Sequence, residues 1–312
     1  MKTYKLSSGF EMPAIGLGTW KATAEEITHS VSHALNCGYQ HLDCAAIYWN
    51  EPAVGRMLSA SRISREDLFI TSKLWNSFHA PDEVKPAIKQ SLHDLKLTYL
   101  DLYLMHWPVA FNHQVGLNIP KRVEDYVSLA DMPLSDTWQA MEALVDEGLV
   151  RSIGLANFSM SKIKAIIDCA RIKPSVNQVE CHPYLQQNEL LAFCKNHDIH
   201  LTAYSPLGTS DNKHSKDGRP SLLMHPVIQL IAQNHQATAA QIILAWQLMR
   251  GISVIPKSSN QERIAENFQA IDIVLTPEEM GIMAGLNDNY RYLDGHVWMQ
   301  EGSPYRSERF WD

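Results

Sequence analysis

The sequence predicts a single α/β domain built as an eight-stranded parallel (β/α)8 barrel, and three observations lead there. Short apolar runs recur along the chain and alternate with segments of helical spacing, eight runs in all. Three consecutive runs end in Asp43, Lys73 and His106, which lie 30 and 33 residues apart, each about one βα unit. No linker, repeat, low-complexity stretch or shift in composition divides the 312 residues, and barrels often reach that length as one domain. Runs such as LYLM are apolar throughout, which suits a parallel sheet buried on both faces.

Taken in order, YKLSSGFEMP reads as a hairpin turned by Ser-Gly, placed to plug the N-terminal end of the barrel. IGLGTW is the first barrel strand. Thr23 and Glu26 then form a capping box before Ile27, Val31, Ala34 and Leu35, and Gly38 closes that helix. QHLDCA is the second strand, with Tyr48 in the loop after it, and EDLFITSKL the third. Val84, Ile88, Leu92 and Leu95 recur at helical spacing, and YLDLYLMH is the fourth strand. Periodicity disappears over 109–133, a loop of functional length. Ser135 is the expected cap of a helix whose inner face is Trp138, Met141, Leu144 and Val145, stopped by Gly148. VRSIGLANF, PSVNQVEC and IHLTAYSP follow as strands five to seven, with Ser159 capping the helix after the fifth and another helix running to about His197. A second long loop, 208–221, leads to helical patterns around ISVIPKS, the eighth strand; Thr276 caps a last helix, and an aromatic-rich tail is expected to lie over the active site.

Composition narrows the function. The chain is 45% apolar and 20% charged with a net charge of −7, and its basic residues are interleaved with acidic ones. No basic block invites nucleic acid or a membrane surface. Cys37, Cys44, Cys169, Cys181 and Cys194 are odd in number and unpaired by spacing, so they read as free thiols. With no apolar signal core and no uncharged span of bilayer length, a cytoplasmic protein is expected, a monomer or weak dimer.

In a barrel of this kind the active site lies at the carboxyl ends of the strands. Asp43, Lys73 and His106 are expected there at one height, beside Tyr48. Asp43 would hold Lys73 charged, Lys73 would favour the phenolate so that Tyr48 exchanges a proton near neutral pH, and His106 would orient a substrate oxygen. Trp20, Trp49, Trp75, Trp107 and Trp298 are candidates for the wall of an apolar substrate pocket. His182 has no second histidine at ligand spacing, and no metal site is expected.

GLGTWK, GYQHLDCAAIYWNE, DLFITSKLWN, YLDLYLMHWP, VRSIGLANF, VNQVECHPY, AYSPLG and VIPKSSNQERIAENF together resemble the aldo-keto reductases, in the family's order and spacing along almost the whole chain. The resemblance implies a TIM barrel that binds a nicotinamide dinucleotide, with Asp43, Tyr48, Lys73 and His106 as the catalytic tetrad and Tyr48 as general acid. It further implies that Tyr204 stacks on the nicotinamide and that Asn157 and Gln178 hold its carboxamide. Thr19 and Trp20 would also contact the cofactor, Ser205 and Leu207 would belong to the pyrophosphate-binding turn, and Lys21 and Asp211 would form a charge pair closing over the pyrophosphate. Lys257, Ser258 and Arg263 would hold a 2′-phosphate, with Ser259 also at the cofactor and Glu266 and Asn267 beside the adenine. A cation and a guanidinium fork suit a phosphate dianion, so NADPH is expected, with NADH a weaker alternative. ANF stands where SNF is commoner in the family, and the hydroxyl that Ala156 lacks is worth about 1 kcal/mol. The implied activity is NADPH-dependent reduction of aldehydes and ketones. The alternatives are an aldose or aldose-6-phosphate reductase, and a non-catalytic NADP-binding regulatory or structural protein on the same fold.

Overall fold

The computed structural model of the chain describes residues 2–209, 221–306 and 310–312. Near the N-terminus β1 (Thr3–Lys5) and β2 (Glu11–Pro13) pair antiparallel. The turn between them uses Gly9 at φ +92°, a conformation open to a residue without Cβ. Leu6 and Met12 from this hairpin pack with Phe69, Leu102, Leu104 and Val176, and Ser8 Oγ meets Ser152 Oγ at 2.7 Å. The hairpin thus closes the N-terminal end of the barrel.

Among the described residues eight parallel strands form the barrel sheet: β3 (Gly16–Gly18), β4 (His41–Asp43), β5 (Phe69–Leu74), β6 (Leu100–Met105), β9 (Val150–Ala156), β10 (Val176–Glu180), β11 (His200–Tyr204) and β12 (Ser253–Val254). Neighbours pair in that order, and a bridge between Ile15 and Val254 closes the ring. β4, β5 and β6 are buried along their whole length, as strands of a parallel sheet covered on both faces are. The hydrogen-bond register corrects one expectation. Asp43 lies opposite Thr71, and Lys73 opposite Leu104. Lys73 is therefore two residues beyond the partner of Asp43, and His106 two beyond the partner of Lys73. Strands in a closed barrel are tilted and staggered, so the three side chains climb towards the mouth instead of sharing one height.

The α-helices among the described residues are α1 (Ala24–Cys37), α2 (Glu51–Ala60), α3 (Pro81–Leu95), α4 (Leu134–Asp146), α5 (Met160–Cys169), α6 (Asn188–Asn196), α7 (Pro226–Asn234), α8 (Ala239–Met249), α9 (Gln261–Gln269) and α10 (Pro277–Ala284). α1 opens on the Thr23–Glu26 capping box and ends at Gly38, φ +101°. α4 departs from expectation at its start and on its face. It begins at Leu134 after Pro133, so Ser135 lies inside its first turn and bonds Asp136 instead of capping. Val145 is only half-buried, while Glu142 is buried and accepts the backbone N–H groups of Arg171 and Ile172 at 2.7 and 2.8 Å.

The loop 109–133 is built rather than irregular. Two two-residue strands, β7 (Ala110–Phe111) and β8 (Tyr126–Val127), pair antiparallel within it. Its path is stitched down by Trp75 Nε1 donating to Asn118 O at 3.0 Å and by Ser77 Oγ donating to Gly116 O at 2.6 Å. Most of the second loop, 210–220, lies outside the described residues. The tail runs back over the mouth: Trp298, Tyr305 and Phe310 join Trp75, Trp107, Phe111 and Tyr126 in one aromatic cluster. Buried Glu180 fixes its approach, accepting Tyr292 N and Leu293 N at 2.7 and 2.8 Å and meeting His182 Nε2 at 2.9 Å. All five cysteines are free. No helix among the described residues is long and apolar enough to cross a membrane.

Candidate active site

β4 ends at Asp43, and the chain then makes one helical turn, Ala46–Tyr48, before α2. That turn delivers the Tyr48 phenol over the end of β5. Lys73, from the penultimate position of β5, is 1% exposed and donates to Asp43 Oδ1 at 2.5 Å and to Cys44 O at 2.8 Å. Its ammonium lies 5.1 Å from the centre of the Tyr48 ring. Burial is the largest single influence and works against the charge on Lys73, but the charge and hydrogen bond of Asp43, with Tyr48 and Cys44 nearby, together hold the ammonium above its ordinary range.

Asp43 is enclosed on every side. Its second carboxylate oxygen accepts Gln178 Nε2 at 2.7 Å from across the barrel, and its carbonyl accepts Thr19 Oγ1 at 2.8 Å. A carboxylate only accepts, so the Gln178 amide turns its NH₂ to Asp43 and keeps its oxygen for the cavity. Asn157, at φ +65°, donates to His106 O at 2.9 Å and accepts the Tyr204 hydroxyl at 2.6 Å. These buried amides therefore fix the catalytic candidates as well as lining the cavity.

Burial pushes the Tyr48 phenol up to about 12, although the Lys73 ammonium pulls it down. This departs from the expectation of proton exchange near neutrality: desolvation of the phenolate outweighs the cation. Tyr48 is held in its protonated form. His106 is pushed well below the usual imidazole range, first by burial and then by the Lys73 ammonium and the neighbouring His79 ring. It is a neutral ring whose Nδ1 is buried without a hydrogen-bond partner among the described residues, which leaves Nε2 for the cavity. Trp75 and Tyr48 pack edge-on against it, at ring-centre distances of 5.3 and 5.9 Å.

Above these groups opens a cavity of about 800 Å³. At one end Trp20, Trp75, Trp107 and Trp298 line it, joined by Ile47, Ile119 and Val297, which carry no signal in the sequence beyond their apolarity. Tyr48, His106, Asn157, Gln178 and Tyr204 line its middle. It then passes Thr19, Lys21, Ser205 and Leu207 and reaches Lys257, Ser258, Arg263, Glu266 and Asn267. The turn between these stretches is tight, with Ser205 at φ +46° and Gly208 at φ +77°. Two expected residues lie elsewhere. Trp49 is 66% exposed, turned outward by its φ of +60°, and Ser259 hydrogen-bonds Glu26 beside α1. Asp211 is outside the described residues, so its pairing with Lys21 is too. Lys21 itself lies 4.5 Å from the Trp20 ring centre. Ala156 is buried in the apolar cluster with Leu104 and Val176, where a methyl group suits its surroundings.

The chemistry of this lining fits a nicotinamide dinucleotide. The cavity has a cationic far end at the start of α9, where Arg263 is exposed and its guanidinium makes no hydrogen bond or ion pair among the described residues. Exposed cations beside a helix N-terminus are a ready anion site.

A closed parallel barrel whose mouth presents a phenol and a neutral imidazole above a buried lysine–carboxylate pair is an architecture suited to acid–base chemistry. The chain belongs to the aldo/keto reductase family, whose model matches residues 14–288. It is 47% identical over 318 aligned positions to an aldo/keto reductase of Synechocystis sp., covering 100% of this chain and 97% of that one. It is 46% identical over 294 positions to aldo-keto reductase family 1 member A1 of Homo sapiens, covering 92% of this chain and 90% of that one. Among solved structures the aldose reductase from Schistosoma japonicum is similar with a TM-score of 0.87 and 40% identity, over 99% of this chain and 100% of that one.

Proposed function

We propose that the protein reduces aldehydes and ketones to alcohols with NADPH, Tyr48 donating the proton. The observation that carries this reading is the meeting of Tyr48 and His106 on one cavity wall, over the buried Lys73–Asp43 pair. When bound, the nicotinamide cofactor supplies hydride to the carbonyl carbon. Tyr48 and His106 Nε2 hold the carbonyl oxygen between two donors, and the phenol passes its proton to that oxygen as negative charge develops there. Lys73, held charged by Asp43, stabilises the phenolate left behind. Gln178 Oε1 and the Asn157 amide are the groups that would hold the carboxamide, with Tyr204 beneath the ring.

The aromatic wall favours apolar aldehydes over open-chain sugars, whose hydroxyls would find few partners on Trp20, Trp75, Trp107 and Trp298. Lys257, Ser258 and Arg263 would take the 2′-phosphate. Charge-assisted hydrogen bonds contribute about 1.5–3 kcal/mol each, so Arg263→Ala should weaken NADPH binding roughly tenfold or more and leave NADH nearly unchanged. Oxidation of NADPH and NADH by parent and mutant, with an aromatic aldehyde, an aldose and an aldose 6-phosphate as substrates, tests the reading. No turnover of any carbonyl would turn the reading towards a non-catalytic NADP-binding protein. Equal losses for both cofactors in Arg263→Ala would mean that the phosphate pocket lies elsewhere.

A further inference from the structure

Glu51 opens α2, three residues beyond Tyr48, and takes no part in the cavity lining. Its residue is 2% exposed. Ser72 Oγ donates to Glu51 Oε1 at 2.5 Å. Ser72 directly precedes Lys73, and successive strand residues face opposite ways: Lys73 points into the barrel and Ser72 into the helix layer. One buried hydrogen bond therefore joins the segment carrying Tyr48 to the residue beside Lys73.

The other flank of the same turn is fastened separately. Asn50 Nδ2 donates to Thr19 O at 2.8 Å and to Ala22 O at 3.1 Å. α2 itself has no slack, because a Cβ placed on Gly55 would approach Asp94 O in α3 to 2.2 Å. Around the carboxyl stand Asp94 and the buried hydroxyl of Ser91 from α3, and Lys73 from β5. Cys44 after β4 and Tyr103 on β6 also feel its charge. No cation forms an ion pair with it among the described residues. Burial pushes the carboxyl up to about 7, only partly opposed by Ser72 and Ser91. A buried carboxyl without a cation costs stability that an apolar side chain of similar volume would not. Groups kept at such a cost cluster where function depends on them.

We propose that Glu51 is a positioning residue for carbonyl reduction, its hydrogen bond to Ser72 setting the Tyr48 turn at its working distance from Lys73. This rests on the reading of Tyr48 as proton donor. The phenol must meet the ammonium on one side and the substrate oxygen on the other, and a misplacement of about 1 Å costs on the order of a hundredfold in rate.

The test uses the full chain as Glu51→Ala, Glu51→Gln and Ser72→Ala, with Tyr48→Phe as control. Turnover of an aromatic aldehyde, NADPH affinity by tryptophan fluorescence, and folded fraction by circular dichroism are read for each. Glu51→Ala and Ser72→Ala should lower kcat about tenfold or more per folded molecule, with NADPH affinity unchanged. Glu51→Gln keeps an acceptor for Ser72 Oγ and should hold kcat near the parent value. If Glu51→Ala fails to fold, Ser72→Ala carries the same expectation. Positioning by this bond is overturned by parental kcat in Ser72→Ala, by losses that match the unfolded fraction, or by Glu51→Gln as impaired as Glu51→Ala. An active Tyr48→Phe would instead overturn the assignment of the proton donor, whatever the Glu51 variants do.

Discussion

At the scale of single residues, the site is governed by desolvation competing with pairing. Lys73 stays charged because Asp43 meets it at 2.5 Å, whereas Glu51 has no such cation and shifts. Its carboxyl rises from an ordinary value of 4.5 to about 7. Between those values the folded chain binds a proton that the unfolded chain has lost, so stability falls as pH rises through that window and is level above it. Glu51→Gln removes the titration. Its melting temperature should exceed the parent's at pH 8 and approach it near pH 5, with a ceiling of about 3 kcal/mol on the difference. A gap that does not change with pH would mean that Glu51 is not the group titrating. The sequence supplies the identities of Asp43, Tyr48, Lys73 and His106, because each ends or follows an apolar run. It does not supply the direction of the Gln178 amide, which reaches Asp43 across 135 residues of sequence. Nor does it mark Glu51, which reads as an ordinary acidic residue at a helix start.

At the scale of elements, close packing of α2 against α3 sets what the Tyr48 turn can do. A Cβ on Gly55 would meet Asp94 O at 2.2 Å and backbone atoms of Leu95 at 2.8 and 2.9 Å. These are main-chain atoms that cannot step aside, so Gly55→Ala should cost about 1–3 kcal/mol and lower turnover with it. Gly281 in α10 has nothing within 4 Å of the same added atom. There Ala should stabilise by up to about 1 kcal/mol through helix propensity. Thermal melts of the two variants side by side test this, and equal shifts would contradict it. α2 itself is hard to read from sequence: only Val54 and Leu58 mark its inner face, with Pro52 near its start. The paired β7 and β8 are two residues each, too short for an alternation to register. α1, by contrast, declares both ends through its capping box and its left-handed glycine.

At the scale of the whole molecule, the order of elements is legible because each βα unit repeats the same polarity switch, and topology then fixes which face bears the loops. The path of the tail is not. It depends on pairings such as Glu180 with Tyr292 and Leu293, and Ser159 Oγ with Asp312 O at 2.7 Å, whose partners lie more than a hundred residues away. That tail brings Trp298 to within 5.4 Å of Trp107 between ring centres and so completes the apolar end of the cavity. The barrel holds a protonated phenol, raised to about 12 by burial, beside a neutral His106 on the wall of the cavity, and the proposed reduction rests on that pairing. The direct test is Tyr48→Phe, which removes one hydroxyl and leaves the ring packing in place. Aldehyde-dependent NADPH oxidation should fall by about 10²–10⁴-fold, while NADPH binding measured by tryptophan fluorescence stays at the parent value. Turnover within tenfold of the parent would contradict Tyr48 as the proton donor.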